Sequence, residues 1–329
     1  MLEIQPLASI CCFTYNQEDY IRNTIESFLI QKTSFPFEII IHDDASTDGT
    51  GIILKEYSDK YPELITLIIQ TENQFSKNQA GNLGRFVWPS VHGKYVAICE
   101  GDDFWTDPYK LQKQVDFLEA HEEYGLVHTD IEYVDEYSNR VTPPGFYQEM
   151  QSRIINGYIF DYYLTHPGFI MTLSCMFRKC LINIEDFDNW FIFDHWLFME
   201  IARKSMIHFI PEKTCAYRIN PDGTVISNNN FILSRSPYVR LDQIFRFYND
   251  NYTTAPYYVD NPAVENQIVL CLTRLIPAFL SGNLKDPDKL KYILGKKRIF
   301  LIKIPALAIS ILVRKIFFSK KKQNIEPVT

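Results

Sequence analysis

The sequence has little of what several common function classes require. Its seven cysteines (Cys11, Cys12, Cys99, Cys175, Cys180, Cys215 and Cys271) are odd in number and never spaced C-x-x-C. That speaks against a disulfide framework or a zinc site and fits a reducing, cytosolic setting. No early glycine-rich phosphate loop with a trailing Lys or Arg is present, which disfavours a site built to grip a nucleoside triphosphate. Met1 to Gln5 lacks a basic region followed by an apolar stretch, so a secretory leader is not expected. Neither an internal repeat nor a low-complexity segment is found. The body of the chain also lacks a basic stripe. Lys285 to Lys322 holds 12 Lys/Arg against 2 Asp, so the formal net charge of −7 leaves −17 for all other residues. An acidic body of this kind excludes nucleic acid as the main ligand.

What is present is ample apolar material. A chain of 329 residues with 46% hydrophobic content can bury one large domain, or one domain with an appendage. The first third alternates two periodicities. Leu7 to Phe13 reads as a strand, and Tyr20 to Leu29 as a helix with Ile21, Ile25, Phe28 and Leu29 on one face. Phe37 to Ile41 is a second strand, followed by a helix over Asp48 to Tyr61 with Ile52, Ile53, Leu54 and Tyr57 inward. Ile65 to Ile69 and Tyr95 to Cys99 continue the pattern, and a helix runs from about Pro108 to His121. Such alternation predicts an α/β fold with a mostly parallel, Rossmann-like sheet flanked by helices.

Two acidic doublets, Asp43-Asp44 and Asp102-Asp103, stand directly behind two of these strands. Ligands collect at the carboxyl ends of strands in open α/β sheets, and paired acids there suit a divalent cation or hydroxyl groups. Ser46-Thr47-Asp48-Gly49-Thr50 supplies helix-capping oxygens, and taken alone this loop is more often a turn than a site. Glu100-Gly101-Asp102-Asp103 is more telling: three carboxylates within four residues repel one another unless a cation or donor groups compensate.

These motifs together resemble the inverting, metal-dependent family 2 glycosyltransferases, over roughly residues 6 to 227. Pro6 to Ile10 through Thr14-Tyr15-Asn16 is similar to that family's first strand and nucleotide loop, Ile41 to Thr50 to its second, and Glu100-Gly101-Asp102-Asp103-Phe104-Trp105 to its metal motif. The resemblance implies the A-type glycosyltransferase fold, with a catalytic domain over 1–230 (nucleotide half 1–125, acceptor half 126–230) and a helical C-terminal extension over 231–329. It implies that Thr14, Tyr15 and Glu18 line the nucleoside pocket, that Asp43 and Asp44 contact base and ribose, and that Asp102, Asp103 and Glu100 hold Mg²⁺ or Mn²⁺ against the donor diphosphate. Tyr15 is open to simple core packing, and Arg85 either meets the same phosphates or is an exposed arginine.

An inverting transfer also needs a general base. Asp194, in Trp190 to Leu197, resembles the family's acceptor-side acid, with Phe193 standing where a Glu is usual; its competing reading is a helix N-cap. His195 reads as a packed side chain. Cys215 to Ile219, followed by Asn220-Pro221-Asp222-Gly223-Thr224, resembles the strand and loop that close the family's site, so Arg218 is expected near phosphate; Asn220 replaces a common His. Val141 to Gly145 reads as a break between the halves, and Tyr158 to Pro167 is aromatic enough to line an acceptor groove.

Ile299 to Phe318 is apolar but interrupted by Lys303, Pro305, Arg314 and Lys315, and Ile304 to Val313 is its longest charge-free piece. That is short of the roughly 20 residues a bilayer-spanning helix needs. Segment 296–322 therefore reads as an interfacial anchor on the inner face of the cell membrane, with a helix packed on protein as the alternative. The sum is a cytoplasmic, membrane-peripheral transferase. It would use a nucleoside diphosphate-sugar, UDP being the family's commonest carrier, and a lipid-linked or oligosaccharide acceptor in surface-polysaccharide assembly. The alternatives are a non-catalytic nucleotide- or carbohydrate-binding scaffold and, less favoured, a sugar nucleotidyltransferase.

Overall fold

The computed structural model describes residues 5–79, 83–143, 145–184 and 193–219. All of them lie in the first of the two units into which the chain divides, Met1–Gly223. The expected helical extension over 231–329, the loop 220–224 and the anchor segment 296–322 lie outside the described residues.

The N-terminal half is built as the alternation requires. Strand β1 (Ala8–Thr14) is followed by α1 (Ile21–Leu29), β2 (Phe37–Asp43), α2 (Thr50–Lys60), β3 (Ile65–Ile69), α3 (Leu83–Val87) and β4 (Tyr95–Glu100). β1 is central, pairing in parallel with β2 on one side and β4 on the other. Its near-continuous apolar run is what a strand covered on both faces needs. On α1, Ile21, Ile25 and Phe28 are buried as expected. On α2, Leu54 and Tyr57 are buried but Ile52 is 77% exposed, correcting its inward assignment. Two residues of helix separate Ile52 from Leu54, about 200° of rotation, so both cannot face the sheet.

Beyond β4 the sheet becomes mixed. Its order is β3-β2-β1-β4-β7-β6-β8-β5, with β5 (Phe104–Trp105), α4 (Lys110–Ala120), β6 (Tyr124–Val134), α5 (Gly145–Gln151), α6 (Phe160–Thr165), β7 (Cys175–Arg178), α7 (Phe193–Lys204) and β8 (Met206–Arg218). β7 runs antiparallel to both β4 and β6, and β5 antiparallel to β8, while β6 and β8 are parallel. Four of the seven neighbouring pairs are thus parallel.

Trp105 fastens the second acidic loop to the core. It is fully buried, donates Nε1–H to the Leu173 carbonyl at 3.1 Å, and meets Phe28 edge-on at 4.8 Å. The Lys110 ammonium sits 4.4 Å from its ring centroid and bonds Gln114 at 2.7 Å, so this buried cation has both a ring and an amide to face. The aromatic stretch 158–167 is divided: Phe160 and Tyr163 are core residues, whereas Tyr158 is exposed.

Candidate active site

Strand register puts both doublets on one rim. Thr14 pairs with Asp43 across β1–β2, and Phe13 pairs with Glu100 across β1–β4. The Asp44 N–H donates to the Thr14 carbonyl at 3.0 Å, and the Gly101 N–H to the Phe13 carbonyl at 2.9 Å. The chain after β1 therefore runs between the two acidic loops.

The first loop is bound to this segment by several side chains. Asn16 (φ 52°) accepts the Thr47 N–H at 2.8 Å and donates its own N–H to Ser46 Oγ at 2.8 Å. The Glu18 carboxylate accepts the Gly49 N–H at 2.6 Å at the start of α2, where a negative charge is favoured. Asp43 is buried; desolvation pushes its carboxyl up, countered by the Ser46 hydroxyl and N–H that it accepts. Asp44, also buried, accepts the N–H groups of Gln74 at 2.8 Å and Phe75 at 3.0 Å, leaving about two acceptor positions on its oxygens. Thr14 is buried behind these groups and Tyr15 is 44% exposed beside them, an open ring on the rim. Arg85 is half-buried on α3, next to Phe86, which stacks on His42 of β2 at 5.6 Å.

The second loop is braced from four directions. Thr24 of α1 lies 2.8 Å from the Gly101 carbonyl and 2.7 Å from the Asp103 carbonyl. Thr172 donates its hydroxyl to Glu100 Oε2 at 2.7 Å. Gln17 favours the charged form of the Asp102 carboxylate, and the Arg218 N–H donates to Asp103 Oδ1 at 2.8 Å. Gly101 is required by this crowding, since a Cβ would stand 2.3 Å from Gln17 Oε1 and 2.8 Å from Thr14 Cβ.

Even so braced, the acids are short of compensation. Burial pushes the Glu100 carboxyl up to about 7, Thr172 opposes the shift, and the charges of Asp102 and Asp194 add to it. Asp103 is pushed well up by burial, then by Asp102 and Glu100; Asp102 rises by burial against the Arg218 charge and Gln17. Asp194 stands in the first turn of α7, accepts the His195 N–H at 2.7 Å, and is pushed up by burial. Its charge adds a small upward push to the Glu100 carboxyl. Arg218 is only 4% exposed, and its guanidinium serves protein groups: Nε donates to the Asp102 carbonyl, Nη1 to the Asp135 and Glu136 carbonyls and Ser138 Oγ, and its plane lies 4.5 Å from the Tyr20 ring centroid. His195 is packed 5.7 Å from Tyr163.

Among the described residues no three His, Cys, Asp or Glu side chains converge closely enough to enclose an ion. The donor set nonetheless fits a hard divalent cation that takes one or two carboxylates from protein and the remaining oxygens from a diphosphate and water.

Thr24, Gln17 and Thr172 were not singled out from sequence. Each acts across a distance that register alone determines, although Gln17 directly follows the Thr14-Tyr15-Asn16 motif.

Residues 9–183, more than half the chain, match the family described as Glycosyl transferase family 2, and the chain belongs to that family. An uncharacterized protein of Mycobacterium tuberculosis is 35% identical over 219 residues, covering 65% of this chain and 59% of the relative, so the chain spans about three fifths of that relative's length. The Escherichia coli UDP-Glc:alpha-D-GlcNAc-diphosphoundecaprenol beta-1,3-glucosyltransferase WfaP is 36% identical over 114 residues, covering 35% of this chain and 42% of WfaP. In fold the chain is similar to S. aureus TarS residues 1–349 in complex with UDP-GlcNAc, with a TM-score of 0.57, 16% identity, and coverage of 88% of this chain and 80% of TarS 1–349. That likeness shows the A-type glycosyltransferase fold. Among the described residues no helix is long and apolar enough to cross a membrane.

Proposed function

We propose that the chain transfers one glycosyl residue, with inversion, from a nucleoside diphosphate-sugar to a hydroxyl of a lipid-linked or oligosaccharide acceptor in surface-polysaccharide assembly. The observation that carries this reading is the strand register that brings Asp43-Asp44 and the Glu100 to Asp103 loop to one rim on either side of Thr14. UDP is the favoured carrier, in keeping with the ligand of TarS and the donor named for WfaP.

Tyr15 offers a ring for the base, Asp43 and Asp44 offer acceptors for base N–H or ribose hydroxyls, and Glu18 keeps the loop that carries them closed. Glu100, Asp102 and Asp103 would hold Mg²⁺ or Mn²⁺. When bound, the cation neutralises charge gathering on the departing diphosphate. Asp194 takes the acceptor's hydroxyl proton as the acceptor oxygen bonds to the anomeric carbon from the face opposite the diphosphate. The glycosyl–phosphate C–O bond breaks in the same step, leaving the nucleoside diphosphate. Arg85 would add positive charge beside the phosphates, while Arg218 holds the acidic loop through its bonds to Asp102 and Asp103.

The C-terminal segment 296–322 would bring this site to the inner face of the cell membrane, where a lipid-linked acceptor is presented. Truncation after about Leu294 should then move the protein from the membrane to the soluble fraction. For the chemistry, Asp194→Asn is expected to lower transfer by ~10²–10⁴-fold with donor affinity unchanged. Unaltered transfer would remove Asp194 as base. A wild-type chain that binds sugar nucleotide yet transfers to no acceptor in a pooled glycan and lipid-linked panel would favour a binding scaffold.

A further inference from the structure

A cavity of about 460 Å³ opens along β6 beyond the stretch that pairs with β7, Leu126 to His128. That volume falls in the range of small-molecule sites, ~300–1,000 Å³. None of the residues assigned above to nucleoside, cation or proton transfer lines it. β6 contributes Asp130 and Glu132, two residues apart and so on one face of the strand. β8 contributes Lys213 through a bulge. While β6 advances from Thr129 to Ile131, β8 advances from Ile210 to Cys215, so that Pro211, Glu212 and Lys213 swing outward and Lys213 is set opposite Asp130. Bulges re-aim side chains in this way.

The chain after β6 builds the next wall. Asp135 Oδ1 accepts the N–H groups of Tyr137 at 3.0 Å and Asn139 at 2.8 Å, and the Val141 N–H donates to the Tyr133 carbonyl at 2.9 Å, folding this segment back along the strand. The turn delivers Arg140 to Glu132, which it meets at 2.6 Å. Gln151, at the end of α5, donates its amide to Asp130 Oδ1 at 3.4 Å. Carboxylates, cations and an amide therefore share one cavity. A free anion would face Asp130 and Glu132, and a hard cation would face Arg140 and Lys213. A saccharide suits both sets, because each hydroxyl donates and accepts, and the CH face of its ring can rest on Val141 and Pro143, which also line the space.

We propose that this cavity is a carbohydrate-binding site that holds a non-reacting saccharide unit of the acceptor. Its place as part of the acceptor rests on the transfer reading above; its affinity for saccharide does not. Arg218 links it to the rim, since Nη1 takes the Asp135 and Glu136 carbonyls of the turn while the backbone N–H holds Asp103. Only three residues, ~10 Å of extended chain, separate Glu132 from Asp135. An oligosaccharide can span that interval and occupy both places.

The test is saturation-transfer NMR on the full-length chain with maltose, cellobiose, lactose and N,N′-diacetylchitobiose as probes, in saturating UDP and Mn²⁺ so that the donor site is filled. At least one disaccharide should bind. Arg140 is 82% exposed and Lys213 lies on the outward bulge, so Arg140→Ala and Lys213→Ala should leave the melting point unchanged. Each should weaken the disaccharide ~10-fold, as should Glu132→Gln, because hydrogen bonds to charged groups are lost. Asp194→Asn should bind it as the wild type does. A wild type that binds none of the four, or binding that survives all three cavity variants within twofold, would overturn the proposal. Binding lost in Asp194→Asn but kept in Arg140→Ala and Lys213→Ala would put the sugar at the transfer centre and overturn it as well. A chain that binds disaccharide through this cavity yet transfers no sugar to any acceptor would overturn the transfer reading, and the acceptor role with it, and leave the carbohydrate site standing.

Discussion

Arg218, the last residue of β8, donates its backbone N–H to Asp103 Oδ1 at 2.8 Å and its Nε–H to the Asp102 carbonyl at 2.9 Å. One residue thus holds both members of the second doublet, and its Nη1 reaches on to Asp135, Glu136 and Ser138. A planar fork can serve these directions together; a lysine ammonium on a flexible stem cannot. Arg218→Lys is expected to destabilise the fold by ~2–4 kcal/mol, since several buried carbonyls lose donors worth about 1 kcal/mol each. Urea unfolding measures it, and a loss below about 0.5 kcal/mol would show that the fork is dispensable.

Gly101 and Gly49 make a paired comparison. A Cβ at Gly49 meets Glu18 Oε2 at 2.5 Å, the end of a flexible side chain, whereas at Gly101 it meets Gln17 Oε1 at 2.3 Å and the branched Thr14 Cβ at 2.8 Å. Gly49→Ala should therefore cost little. Gly101→Ala should cost ~1–3 kcal/mol as an overpacked site and should reduce transfer more than tenfold, because the displaced atoms face the acidic loop. Equal effects of the two substitutions, measured by melting and by sugar transfer, would contradict this ranking.

The sequence made the rim legible but not its bracing. Apolar runs ending in acids announced β2 and β4 with their doublets, because a buried strand needs continuous apolar residues and the loop behind it does not. Strand direction is not written in such runs, so the antiparallel placement of β7 between β4 and β6 could not be read. The same ambiguity misplaced Ile52, one of three successive apolar residues of which a helix can bury only part. Thr24 and Thr172 stayed hidden because their partners lie 77–79 and 72 residues away. Arg218 was expected near phosphate, and the carbonyls it serves instead are backbone groups that no side-chain pattern announces.

Thr172 offers a conservative test of how Glu100 is held. Its hydroxyl donates to Glu100 Oε2 at 2.7 Å, a charge-assisted bond when Glu100 is ionised. Thr172→Val keeps the shape and removes the donor, and should lower transfer several-fold at a cost of ~1–2 kcal/mol in stability. Thr172→Ser should restore both. A serine variant as impaired as the valine one would show that the methyl packing, not the hydrogen bond, is what matters.

His128 gives the fold a pH dependence of its own. It lies in β6 between β7, where it pairs with Cys175, and β8, where His208 is adjacent, and its ring is 5.1 Å from Phe209. Burial pulls its pKa down to about 3, with the His208 charge adding to the shift. The folded chain therefore keeps His128 neutral while the unfolded chain protonates it below about 6.5. Its contribution is fully present above pH 6.5 and is lost as pH falls toward 3, at up to about 1.4 kcal/mol per pH unit. The buried acids work in the opposite sense: with folded pKa values raised, Glu100 and Asp103 bind protons more readily when folded and favour the fold as pH falls. The two trends oppose each other in the total, so the decisive measurement is a difference. His128→Leu should remove one downward slope and leave the acids untouched; its stability relative to the wild type should rise as pH is lowered from 7 to 5. A difference independent of pH over that interval would mean that His128 takes up no fewer protons folded than unfolded.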